Sequence, residues 1–327
     1  MTRTPLAPAP APALPAGAPL RTYQRIVRAV AIAACLPYLA LKVAWISGSV
    51  VGIPEGSDLR HPDTSLVVAN IVSVTLDATL VLLVLLLTMD WGLRVRSWLL
   101  TVPVFVATGL LGPIVLGFPV QVVTRALGGG GGAEHRAART PFLADWVFTV
   151  VYTGFIVQAA ALAVLFVPYA IRRWGHLWRG GAAAPMTAPY RITAAGGALA
   201  ALVAAATNLY WACGGTRGLN AGRIAELDSD AYSLNAVYVV LAVAAATGLL
   251  ALAFRPSHRR TALALAWTGC AAMGCWGGWI ALASLSPGHD PVDRQTGFMY
   301  LIYACEMIVG ALGAVVLTRF LTARRAA

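Results

Sequence analysis

Charge is the first thing this chain lacks. Only 11% of its 327 residues are Asp, Glu, Lys or Arg, while 59% are hydrophobic. A soluble globular domain carries roughly 25% charged residues, and a soluble chain this apolar would expose large patches and aggregate. Lysine is nearly missing. Lys42 stands alone, so 23 of the 24 basic residues are arginine. With the heavy use of Ala, Gly and Pro, that bias points to a bacterium with a G+C-rich genome. Cysteine is scarce too: Cys35, Cys213, Cys270, Cys275 and Cys305 all fall in apolar segments. Their number is odd and no C-x-x-C occurs, which argues against a disulfide framework or a thiolate zinc site. Free thiols acting as small hydrophobes are expected instead.

Catalytic signatures are missing as well. The five-glycine run at 128–132 has no lysine and no strand–helix setting, so it is no phosphate loop and reads as a flexible linker. No cofactor and no metal is expected. A net charge of +11 would suit nucleic acid. The arginines are scattered among short loops, however, with no basic helix or aromatic-interleaved stripe. Nucleic acid is therefore not expected as a partner; the lipid bilayer is.

What the chain does have is length in its apolar runs. They occupy 29–51, 66–88, 98–120, 146–170, 192–213, 234–254, 261–285 and 298–321, each long enough to cross a hydrocarbon core of about 30 Å. Only helices and closed barrels can span lipid. The run at 80–87, all Leu and Val, does not alternate in polarity, so helices are predicted. Pro37, Pro103, Pro113 and Pro168 fall inside spans and should kink them. Residues 1–20, mostly Pro and Ala, form a disordered tail. The rival reading is a cleaved signal peptide, but the first apolar run continues past Lys42 with no small-residue cleavage site, which favours a retained helix.

Arginine placement sets the orientation. With the N-terminus in the cytoplasm, the inner segments hold 16 arginines and the outer loops 7, and Arg125, Arg217 and Arg223 are among the outer ones. Both termini are expected inside a bacterial plasma membrane.

An internal repeat is also visible. Lys42, Trp45, Gly48 and Ser49 recur 166 residues later as Asn208, Trp211, Gly214 and Gly215. An acidic loop follows each copy, and then Ser65-Leu66 and Ser233-Leu234 open the next spans. Val151-Tyr152 and Ile302-Tyr303 correspond in the fourth and eighth spans, as do Arg173 and Arg324 at their ends. The expectation is an all-α integral membrane protein of eight transmembrane helices, arranged as two four-helix repeats in parallel orientation. Its divisions would be a tail at 1–20, one repeat at 21–180 and another at 181–327. Around Tyr210-Trp211-Ala212-Cys213-Gly214-Gly215 the chain resembles actinobacterial multi-pass membrane proteins carrying a Y-W-x-x-G-G signature at the outer end of a helix. A degenerate copy stands at Ala44-Trp45-Ile46-Ser47-Gly48-Ser49. The resemblance implies a membrane location and brings no activity with it.

Ionisable groups inside hydrocarbon cost roughly 2.5–3.5 kcal/mol on insertion scales, so Lys42, Asp77 and Glu306 are candidate site residues. Asp77 falls near the midplane, and a Lys42–Asp77 pair across neighbouring helices would make a relay or a substrate-charge site. The competing reading is a structural pair, or Lys42 reaching to the interface. Glu306, beside Tyr303, could complete a cavity with Asp77. The second repeat substitutes Asn208 for Lys42 and an alanine for Asp77. Trp45 and Trp211 read as interfacial anchors, with Gly48, Gly214 and Gly215 allowing close helix approach. His61 with Asp63, and His289 with Asp290 and Asp293, have zinc-ligand chemistry but no rigid frame, so solvated loops are the plainer reading.

Three kinds of function fit. One is a transporter-like protein with an intramembrane polar site. Another is a non-catalytic accessory or signalling component, with a membrane-protein partner or a second copy of itself. An intramembrane enzyme fits least.

Overall fold

The computed structural model describes residues 21–60, 64–127, 143–175, 186–254, 259–284 and 293–326. The expected tail, the glycine run, the loop residues His61, Asp63, His289 and Asp290, and the expected boundary at 180/181 lie outside the described residues.

Every regular element among the described residues is helical. Eight helices are long: α1 (Thr22–Ile46), α2 (Thr64–Thr88), α3 (Ser97–Ala126), α4 (Asp145–Trp174), α5 (Ala188–Ala212), α6 (Ser229–Phe254), α7 (Arg259–Ala283) and α8 (Gly297–Ala326). A single-turn helix, Ala221–Ala225, lies between α5 and α6. Seven of the eight long helices are long and apolar enough to cross a membrane; α7 is not. Their outward faces carry large apolar side chains such as Ile26, Leu36, Val102, Ile192 and Val240. Water would not tolerate such a surface; a bilayer would.

The composition of α7 explains its deficit. It carries Trp267, Trp276 and Trp279 with Gly269, Gly274, Gly277 and Gly278, and it packs on α3, α6 and α8. Backbones approach closely there. A Cβ on Gly248 of α6 would stand 2.2 Å from the Ala266 nitrogen, and one on Gly274 would stand 2.7 Å from the Gly310 Cα of α8. Towards α3, Trp267 Nε1 donates to Thr108 Oγ1 at 3.3 Å and Trp276 Nε1 to the Leu110 carbonyl at 3.1 Å. Small residues and indole hydrogen bonds suit a helix surrounded by protein.

In the first half α1 packs on α2 and α4, and α3 packs on α2 and α4; in the second half α5 packs on α6 and α8, and α7 on α6 and α8. The corresponding neighbours are therefore the same. One cluster of buried apolar residues lies between Ala31 and Tyr169 and another between Ala194 and Phe320. The halves meet where α3 packs on α6 and α7. At the end of this seam that carries Trp45 and Trp211, the tryptophan-bearing end, the guanidinium of Arg125 forks onto the Asp230 carboxylate, with Nε 2.9 Å from Oδ2 and 3.1 Å from Oδ1.

The motif around Trp45 is a helix stop, and α1 ends there, five residues before the expected end of the span. Ser49 N–H donates to the Ala44 carbonyl at 2.8 Å and Gly48 N–H to that of Trp45 at 3.1 Å. Gly215 repeats the first bond to Tyr210 at 2.9 Å, and Gly214 the second to Trp211 at 3.0 Å. This pair of bonds needs a left-handed residue at the turn, and Gly48 (φ 90°) and Gly214 (φ 88°) supply it. A Cβ on either would meet nothing within 4 Å. These two glycines therefore serve backbone conformation, not the close helix approach expected of them.

Gly215 is different. A Cβ there would lie 2.3 Å from the Tyr210 ring, which is why glycine accompanies Tyr210 while Ser49 accompanies the smaller Ala44. The indoles finish each turn: Trp45 Nε1 donates to the Val51 carbonyl at 2.8 Å, and Trp211 Nε1 to that of Arg217 at 3.1 Å. Gly52 and Gly218 follow, both with positive φ, and a Cβ on either would collide with Val147 or Phe298 at the starts of α4 and α8.

The arginine-bearing end is also held. Tyr169 Oη donates to the Gly92 carbonyl at 2.9 Å and Arg173 Nη1 to the same oxygen at 2.8 Å. Arg173 also bonds the Val95 carbonyl. This arginine thus clamps the α2–α3 turn.

Candidate functional site: two buried polar clusters

The first cluster lines α2. Asn70, Ser73 and Asp77, spaced i, i+3 and i+7, share one helix face and are 5%, 8% and 5% exposed. Lys42 of α1 faces the outermost of them: its Nζ donates to Asn70 Oδ1 at 2.8 Å. The ammonium also lies 5.1 Å from the Tyr38 ring centroid and 5.0 Å from that of Trp45, a cation–π setting that stabilises a desolvated charge. The expected direct Lys42–Asp77 ion pair is not formed. Lys42 sits one turn from the end of α1, whereas Asp77 is at the middle of α2, two turns deeper than Asn70. Asp77 still feels Lys42 electrostatically, but its Oδ2 is buried without a hydrogen-bond partner among the described residues.

Gln158 of α4 is another polar group buried in this half, with no exposed surface. Its Nε2 donates to the Ala34 carbonyl at 3.2 Å, close to Pro37. A proline removes one amide from the helix ladder, and a neighbouring side chain bonding to the distorted turn is the usual membrane remedy.

The second cluster belongs to α5, α6 and α8. Glu306 is 5% exposed and Asn208 3%. The Asn208 side chain interacts with the Glu306 carboxyl and donates through Nδ2 to the Ala204 carbonyl at 2.9 Å. On the α7 side a Cβ at Gly277 would lie 3.1 Å from Glu306 Oε2, so glycine makes room for the carboxyl. Tyr303 is one turn nearer the tryptophan-bearing end, with its hydroxyl donating to Gln295 Oε1 at 3.1 Å. Tyr238 of α6 interacts electrostatically with Glu306, Tyr303 and Arg223.

The three ionisable groups therefore do not converge. Lys42 and Asp77 belong to the first bundle, whereas Glu306 with Asn208 and Tyr303 belongs to the second. Glu306 does not complete a cavity with Asp77, because α3 and α6 intervene. Lys42, Asp77, Glu306, Asn208 and Tyr303 are conspicuous in the sequence; Asn70, Ser73, Gln158, Tyr38 and Tyr238 are not. The i, i+3, i+7 spacing on α2 was the signal for two of these. Among the described residues no group of three or more His, Cys, Asp or Glu could hold a metal, and all five histidines lie outside the described residues. Compared with known protein families, curated proteins and solved structures, the chain gives no match.

Proposed function

We propose that this protein is a non-catalytic component of a bacterial plasma membrane, an accessory or signalling subunit built as two parallel four-helix repeats with both termini in the cytoplasm. The observation that carries the functional reading is the separation of the buried polar groups: Lys42 donates to Asn70 within the first half, whereas Glu306 lies beside Asn208 in the second. Matching helix neighbours and matching Trp–Gly turns in the two halves support the repeat. α7 is read as the eighth span, since its neighbours supply the apolar surroundings that its own sequence does not. Its partner would be another membrane protein or a second copy of the chain.

The test is substitution with a partner readout. Asp77→Asn and Glu306→Gln, singly and together, are expected to leave membrane insertion, yield and copurifying proteins within about twofold of wild type. Loss of the copurifying protein from a still monodisperse variant sinks the accessory reading. Orientation is checked separately: a reporter fused after Ala327 that is active only in the cytoplasm should be active.

A second reading, a transporter-like intramembrane site, has one observation in its favour. Among the described residues Asp77 Oδ2 is buried at mid-helix without a hydrogen-bond partner, and a carboxyl at such a depth is a proton-carrying group in many membrane proteins. In proteoliposomes this reading requires a proton or ion flux that Asp77→Asn abolishes. Flux equal to that of empty liposomes rules it out.

A further inference from the structure

We propose that the groove between α5 and α8 at the arginine-bearing end is a binding site for the headgroup of an anionic glycerophospholipid. The groove has a volume of about 370 Å³ and is lined by Tyr190, Ala314, Val315, Thr318, Arg319 and Thr322. Its polar groups collect at one end of α8, and its apolar floor, Ala314 and Val315, runs one to two turns toward the helix centre. That gradient is the one an acyl-linked phosphate presents to a protein at a membrane interface.

The arginine chemistry makes the assignment specific. The Arg319 guanidinium lies 5.5 Å from the Tyr190 ring centroid, and the neighbouring Arg191 lies 4.5 Å from that of Phe254. A cation–π contact of this kind commits no N–H donor of the guanidinium. In the first half the same kind of stack occurs, Arg173 lying 5.5 Å from the Trp174 centroid, but the donors of Arg173 are spent on the Gly92 and Val95 carbonyls. No described residue takes the side-chain donors of Arg319 or Arg191, and the Arg125–Asp230 bridge lies at the opposite end. A guanidinium with open donors, flanked by the Thr318 hydroxyl, fits a phosphodiester; the Thr322 hydroxyl donates to the Arg319 carbonyl at 3.1 Å. Basic pockets between helices on the cytoplasmic side are known lipid-headgroup sites in general. The inference rests on the orientation proposed above only for which leaflet supplies the lipid.

The experiment uses the full chain, purified in detergent, stripped of lipid and titrated by native mass spectrometry with phosphatidylglycerol, phosphatidylcholine or inorganic phosphate. One phosphatidylglycerol per chain is expected to survive, with phosphatidylcholine bound at least tenfold more weakly and inorganic phosphate not competing at equal concentration. Arg319→Gln should weaken phosphatidylglycerol tenfold or more. Arg319→Lys, which keeps the charge and loses the fork, should weaken it about threefold; it also serves if the first variant does not fold. Arg217→Gln, at the other end, is the net-charge control and should change nothing. Equal binding of both lipids, undiminished binding by either Arg319 variant, or full competition by inorganic phosphate overturns the proposal. A failed reporter at Ala327 would move the site to the other leaflet without touching these outcomes.

Discussion

Gly274→Leu is expected to abolish the folded second bundle. The Cβ of any residue there would stand 2.7 Å from the Gly310 Cα, and the obstruction is backbone. A flexible neighbour could rotate away; a helix cannot. Overpacking in cores typically costs about 1–3 kcal/mol, and here α7 and α8 must also separate, which strips the contacts of Cys270 with Gly313 and of Gly277 with Glu306. The measurement is size-exclusion chromatography of the detergent-solubilised protein with a thermal melt of the main peak. The variant should elute aggregated or melt far below wild type. Gly278→Leu, where a Cβ meets nothing within 4 Å, is the paired control and should leave the melt nearly unchanged. Equal melting of wild type and Gly274→Leu would show that the α7–α8 approach is looser than described.

The second large effect is conditional. Gly215→Ala places a methyl carbon 2.3 Å from the Tyr210 ring and should lower stability by about 1–3 kcal/mol. Tyr210→Ala alone loses the ring packing and the weak contact between the Arg217 amide and the Tyr210 hydroxyl at 3.5 Å. Combined, the two substitutions recreate the Ala44/Ser49 relation of the first turn, so the double variant should be more stable than the sum of the singles predicts, with a coupling of about 0.5–3 kcal/mol. Additive singles would mean that the ring is free to move off Gly215. Gly214→Ala is not rescued in this way, because its cost lies in the left-handed backbone and not in a neighbour.

These two expectations show which parts of the structure were legible in the sequence. The run lengths predict eight spans, and seven of them are helices apolar enough to cross a membrane, because hydrocarbon thickness constrains every lipid-facing helix alike. α7 was bounded within a few residues as well, yet its Trp and Gly content lowers its hydropathy, since the protein around it takes the place of lipid. The Trp–Gly turns were visible as a repeated string. What the string could not reveal was the division of labour inside it, one glycine serving φ and the next making room for a ring.

The polar sites were half legible. A rare residue type in an apolar run is conspicuous, so Lys42, Asp77 and Glu306 stood out. Their partners are not rare: Asn70 and Asn208 are neutral, and Tyr38 and Tyr238 pass as core aromatics. Depth also misled the pairing. The end of the first apolar run was placed at Val51, but Gly48 stops α1 earlier, which moves Lys42 toward the helix end and level with Asn70 instead of Asp77. Arg173 carried a second meaning that counting could not reveal. It is an orientation signal, and it is also the group that fixes the α2–α3 turn.

The hub position of α7 bears on how the chain is made. A helix whose favourable surroundings are other helices gains little from meeting lipid alone as it leaves the ribosome. It should linger at the insertion machinery until α8 has been synthesised, so that the two enter as a hairpin with Gly274 already against Gly310. Chains truncated just after Ser284 would then strand α7 short of the bilayer, and quality-control proteases would clear them first.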